Sequence, residues 1–238
     1  MAERKNRLNP IILVSSCKRD RENGCHEAQR NTSFSDSRIS YRFVLGIGNS
    51  NPDSDEIVLD VPDDYAGLPW KTREGHRWAL NNGFDYIFQC FADTYCNTER
   101  LLASGFEKRD YTGSFVSLDY LPHDVPQFGA TRPDQYASGG PGYWLSPRCS
   151  RLIVEAEVKH PEEDSWMNRV IAAGAEDLWV GNVVSRAGIQ GTHDNRYWSD
   201  GGQMLASNDV IAMHIGKGPG KYSPEVFYEQ HRIFKESQ

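Results

Sequence analysis

The run Asp85-Tyr-Ile-Phe-Gln-Cys-Phe-Ala-Asp93-Thr-Tyr-Cys-Asn-Thr-Glu-Arg-Leu-Leu102 constrains this chain more than any other stretch. Tyr86 to Phe91 is a short apolar and aromatic run of strand type. Asp93 falls where that strand should end, and Asn97-Thr98-Glu99 opens a helical pattern carrying Leu101 and Leu102. A strand that feeds a helix through a polar turn is the building unit of an α/β sheet, and in such sheets ligands meet the carboxyl ends of the strands. Read locally, Asp93 serves equally well as a ligand-binding acid or as an ordinary turn residue.

The same alternation recurs along the chain. Ile11 to Val14 predicts a buried first strand closed by Ser15-Ser16-Cys17-Lys18, small polar residues where a loop meets a ligand. Cys25 to Thr32 follows as a weak helix, Ile39 to Leu45 and Glu56 to Val61 as strands, and Lys71 to Asn81 as a helix with Trp70, Trp78 and Leu80 near helical spacing. Later, Arg148 to Val158 and Ser165 to Ala173 read as helices, while Glu176 to Ala187 fits no single class. Val210 to Ile215, with His214 near its end, reads as a last strand and Pro224 to Phe234 as a last helix.

The expected fold is therefore α/β. It is a single domain over 1–238 with a Rossmann-like, mostly parallel central sheet and helices on both faces. Residues 1–105 form a nucleotide-binding half and 106–238 a turn-rich half. Gly46 and Gly48 lack the third glycine and the following helix of a dinucleotide fingerprint.

A net charge of -7, from 26 basic and 33 acidic residues, weighs against bulk nucleic-acid affinity. Five scattered cysteines without a CxxC pair point to reduced, mostly buried thiols and a cytoplasmic setting. Ile11 to Val14 is too short for a membrane span, and no signal-like segment is visible. No Ser/His/Asp grouping in a nucleophile-elbow context supports hydrolase chemistry.

Five motifs in order resemble the inverting β-1,3-glycosyltransferases of the galactosyltransferase and fringe type. They are Arg42-Phe-Val-Leu-Gly46, the block Asp60 to Thr72, Phe88 to Leu102, Tyr136 to Ser146 with its glycines, and Glu163-Asp164. The resemblance implies a GT-A-like fold, a UDP-sugar donor, a glycan or other hydroxyl acceptor, and a divalent metal. Where the family carries three acids at the strand end, this chain has Phe91, Ala92 and Asp93.

The resemblance assigns Asp93 and His214 to the metal, with His193 as a competitor for the imidazole. Mn²⁺ is expected over Mg²⁺ because a nitrogen ligand favours the softer ion. Ser15, Asp60, Asp64, Lys71, Asp93, Lys217 and Lys221 are assigned to the nucleotide and its phosphates, and Asp164 to the catalytic base. Gly139, Gly140, Tyr143, Trp144 and Glu163 are assigned to the floor between donor and acceptor, with Tyr143 and Trp144 as sugar-stacking platforms. Each assignment has a plainer reading: solvated lysines, a core histidine, helix N-terminal acids, core aromatics. Two other functions stay open. One is a sugar-binding module that has lost catalysis, as Phe91 and Ala92 suggest. The other is a viral or bacterial enzyme acting on hydroxymethylated DNA bases, with Arg4, Lys5, Arg7, Lys217 and Lys221 as a local phosphate patch.

Overall fold

The structure is a computed structural model describing residues 8–35, 38–117, 135–158, 174–199, 209–215 and 223–236. In chain order the elements are β1 (Ile11–Ser15), α1 (Lys18–Glu22), α2 (Cys25–Asn31), β2 (Ser40–Leu45), β3 (Glu56–Val58), α3 (Leu68–Asn81), β4 (Ile87–Phe91), β5 (Thr94–Cys96) and α4 (Thr98–Leu102). A 3-10 turn at Phe106–Lys108 leads into β6 (Tyr111–Gly113), β7 (Phe115–Ser117), β8 (Gln135–Ala137), β9 (Tyr143–Leu145) and α5 (Pro147–Glu155). The described remainder holds α6 (Glu176–Arg186), β10 (Thr192–His193), β11 (Tyr197–Trp198), β12 (Ala212–His214) and α7 (Pro224–Glu236).

Seven strands form the central sheet in the order β10-β6-β9-β4-β1-β2-β3. Strands β1, β2, β3 and β4 run parallel, as do β6 and β10, while β9 lies antiparallel to both β4 and β6. The unbroken apolar run Ile11 to Val14 is explained by this placement: β1 is central and buried on both faces. Ile11, Leu13, Val44 and Ala79 of α3 pack on one side, and Ile12, Val14, Phe43, Phe88 and Leu101 of α4 on the other. At Gly75 α3 faces Leu13 and Val44, where a Cβ would make ordinary contact at 3.4 Å from Leu13 Cδ1. The α/β fold with a mostly parallel sheet and helices on both faces is the one expected.

Boundaries shift in several places. The third strand stops at Val58, and the ambiguous Glu176 to Ala187 is the helix α6, whose Trp179, Val180 and Val184 enter a core with Tyr111, Leu145 and Ile153. The helix expected from Ser165 to Ala173 lies outside the described residues. A small second sheet, β11-β12-β5, carries His214 to the end of β4. None of the five cysteines is disulfide-bonded, and all except half-buried Cys17 are buried. Among the described residues, no helix is long and apolar enough to cross a membrane.

Candidate functional site

Two adjoining hollows open at the carboxyl ends of β1 and β4. The larger, about 420 Å³, is bordered by Ser15, Ser16 and Cys17 after β1, Asp63 to Tyr65 before α3, and Phe91 to Asp93 after β4. The smaller, about 180 Å³, is bordered by Gly139 and Gly140, Glu176 and Asp177 of α6, and His214 of β12. Tyr65, Leu68, Phe91 and Asp93 border both, so the pair forms one cleft with Asp93 at its waist.

Asp93 keeps its carboxylate in that waist because its main chain is held on both flanks. Ala92 N–H donates to the Ser15 carbonyl, and the Asp93 carbonyl accepts from Ile215 N–H. Its Oδ2 lies 2.9 Å from His214 Nε2, both side chains being largely buried. A Cβ on Gly140 would come within 2.6 Å of the His214 ring, and one on Gly139 within 2.7 Å of the Phe91 ring. The glycine turn is thus required by close approach to the two side chains that flank Asp93. Thr94 ties the pieces together, its hydroxyl accepting from Phe91 N–H and donating to the Gly140 carbonyl.

On the β1 side the charges are matched. Asp63 accepts from Gly46 N–H and Lys71 Nζ through one oxygen, and from Lys18 N–H and Asn49 through the other. Burial alone would raise its pKa, but the bonds from Asn49, Gly46 and Lys18 and the Lys71 charge hold the carboxyl below its ordinary value. Lys71 is 1 % exposed and also donates to the Ser16 carbonyl. Ser15 accepts from Gln89.

On the α6 side the balance is opposite. Asp177 accepts from Gly139 N–H at 2.9 Å, which docks the glycine turn on α6. Glu176 is 2 % exposed and accepts through Oε1 from Tyr143 and Thr72, while Oε2 is buried with no hydrogen-bond partner. Burial, then the neighbouring Asp177 charge, pushes the Glu176 carboxyl up to about 8, so it carries a proton at neutral pH.

Of the expected site residues, Ser15, Asp64, Lys71, Asp93, Gly139, Gly140 and His214 border the cleft. Lys71 does so as the buried partner of Asp63 rather than as a loose phosphate-seeking charge. Asp60 is exposed and borders neither hollow, because the chain turns at Val61 to bring Asp63 inward. Tyr143 and Trp144 are corrected most sharply. Strand β9 lies between β4 and β6, so both rings are core: Tyr143 is 0 % and Trp144 1 % exposed, with Trp144 stacked on Phe106 at 4.0 Å. Neither offers a face to a sugar. His193 sits at the sheet edge on β10, accepting from Phe115 N–H, away from both hollows.

Glu163, Asp164, Lys217 and Lys221 lie outside the described residues, as do Arg4, Lys5 and Arg7. Sequence reasoning missed Asp63, Glu176 and Asp177. A signal existed for the last two: a second Glu-Asp pair, following Gly174 and heading an apolar Leu-Trp-Val run.

Asp93 and His214 present an oxygen and a nitrogen 2.9 Å apart, close enough for one ion to hold both once the proton between them leaves. Among the described residues no group of three or more His, Cys, Asp or Glu stands ready for a metal. Asp93 and His214 are thus two candidate ligands, to which the described residues add no third His, Cys, Asp or Glu.

No protein-family model matches the chain, and no curated protein matches its sequence. Among solved structures it is similar to a galactosyltransferase, LgtC, in complex with donor and acceptor sugar analogues. The TM-score is 0.48 at 13% identity, over 93% of this chain and 95% of that one.

Proposed function

We propose that the protein is a GT-A-like glycosyltransferase that moves a sugar from a nucleotide-sugar, a UDP-sugar by its sequence resemblance, to an acceptor hydroxyl with inversion. The observation that carries this reading is the two-part cleft with Asp93 at its waist, flanked on one side by a matched polar network and on the other by a carboxylate pair. The larger hollow takes the nucleotide, with Ser15 and Asp64 at its wall. The smaller takes the acceptor.

Among the described residues, Asp20, Asp63, Asp64 and Asp93 border the larger hollow with Arg19 and Lys71. A diphosphate there gains from added positive charge, which a divalent cation would supply. Asp93 and His214 would hold that ion, Mn²⁺ in preference to Mg²⁺ for its nitrogen ligand, and its charge would stabilise the leaving diphosphate. Asp177 is the carboxylate best placed as catalytic base, accepting the acceptor hydroxyl's proton as its oxygen attacks the anomeric carbon. Asp164 is the rival base. Protonated Glu176 leaves Asp177 as the charged member of the pair and orients Tyr143 and Thr72 behind it.

A second reading, a sugar-binding module without catalysis, draws on Phe91 and Ala92 in place of acids and on the two-ligand metal site. A UDP-sugar screen read by UDP release, with and without Mn²⁺, separates the two. Mn²⁺-dependent release that is lost in Asp93→Ala and His214→Ala is expected. UDP binding without any release favours the module, and no UDP binding at all rejects the transferase.

A further inference from the structure

We propose that Ser16, His26 and Glu56 form a nucleophilic relay that gives the larger hollow a second activity, cleavage of small uncharged carboxylic esters. This inference uses the hollow but does not depend on the glycosyltransferase reading.

Three separate elements bring the relay together: Ser16 follows β1, His26 lies on α2 and Glu56 opens β3. Ser16 Oγ is 2.7 Å from His26 Nε2, and His26 Nδ1 is 2.8 Å from Glu56 Oε1. The proton positions follow by elimination. Glu56 also accepts from Asp53 N–H and Arg21, so it is an ionised, acceptor-only group, and His26 Nδ1 must donate to it. The neutral ring then accepts at Nε2, and the Ser16 hydroxyl donates there. Stacking on Phe43, with centroids 3.9 Å apart and planes 12° apart, fixes the ring.

Nucleophile, base and orienting acid stand in the order that activated serines require. Burial lowers the His26 pKa despite Glu56, and for Glu56 the Asp53 and His26 bonds outweigh burial to give a net lowering. The relay is thus neutral histidine and ionised acid at pH 7. His76 makes a contrast: equally buried, it has neither a serine hydroxyl nor a carboxylate bonded to its ring and borders neither hollow. Ser16 borders the 420 Å³ hollow beside apolar Leu68, Phe91 and Ala92, and its acids disfavour charged anionic esters.

In the reaction, Ser16 Oγ attacks the ester carbonyl carbon while its proton passes to His26 Nε2. The bond from carbon to the leaving oxygen breaks, and His26 returns the proton to that alkoxide. Water then attacks acyl-Ser16 with His26 again as base, releasing the carboxylic acid and restoring the hydroxyl.

The test treats the full chain with a fluorophosphonate, whose phosphorus bonds to Ser16 Oγ as fluoride leaves. One adduct per chain, mapped to Ser16, is expected. It should vanish in Ser16→Ala, persist in Ser185→Ala on α6 and form about 100-fold more slowly in His26→Gln, with folding checked by thermal melting. No adduct on the folded wild-type chain, or equal labelling after heat unfolding, overturns the proposal. Because Ser16→Ala removes a single oxygen, its result decides the matter even if His26→Gln fails to fold. A chain that binds UDP yet takes no label rejects this relay and leaves the transferase reading standing.

Discussion

The two sides of the cleft solve the burial of charge in opposite ways. Around Asp63, a half-buried carboxylate and a buried lysine neutralise one another, and main-chain N–H groups and the Asn49 amide fill the remaining oxygen positions. Around Glu176, a more deeply buried carboxyl has no cation among the described residues; it keeps its proton and leaves Oε2 without a partner. A satisfied network makes a rigid wall for binding, whereas an under-satisfied, proton-bearing pair is where chemistry is placed. On the proposed reading, the β1 side serves recognition of the nucleotide and the α6 side serves proton transfer.

The contrast can be broken at its strongest point first. Asp177→Asn should lower transfer by about 10³-fold while UDP affinity stays within about twofold, measured by UDP release and by calorimetry. If Asp164→Asn shows that loss instead, the base lies in the segment outside the described residues. On the opposite side, Lys71→Met removes the cation from Asp63, which keeps its bonds from Gly46, Lys18 and Asn49, and should cost about 2 kcal/mol in urea unfolding. An unchanged midpoint would mean the pair is not the wall's anchor.

The proton on Glu176 makes a subtler prediction. Its folded pKa, about 8, is raised above the ordinary 4.5, so between those values the folded chain holds more protons than the unfolded chain. Its contribution is complete below about 4.5 and is lost as pH rises towards 8, at up to about 1.4 kcal/mol per pH unit. In Glu176→Gln that slope should disappear from the stability profile, and a profile identical to wild type would refute it. The smallest effect is expected at the waist. Gly140→Ala puts a Cβ within 2.6 Å of the His214 ring and should weaken Mn²⁺-dependent UDP binding about tenfold, with metal-free binding unchanged.

Much of the scaffold was legible because it rests on local pattern. Ile11 to Val14 and Tyr86 to Phe91 read as strands since β1 and β4 are central, and α3 announced itself through Trp70, Trp78 and Leu80 near helical spacing. Asp93 and His214 were legible as acid and imidazole near strand ends. Trp144 was misread because an aromatic beside glycines looks the same whether its strand is an edge or, as here, an interior one. Asp63 was passed over for Asp60 and Asp64 because three acids in one loop differ only in which one the turn points inward. The relay at Ser16 was invisible for a related reason: 10 and 30 residues of sequence separate its bonded pairs.

By itself the sequence determined where strands and helices fall, because the period of apolar residues and the positions of caps and turns are local properties. It also set the charges and donor atoms that are available. Only the tertiary structure decided which of them meet: the parallel register that aligns the ends of β1 and β4, the antiparallel insertion of β9, and the crossing of β12 that sets His214 against Asp93. Those choices depend on long-range packing between residues as far apart as Asp93 and His214. The burial that gives Glu176 its proton and removes Trp144 from the surface is a consequence of that packing.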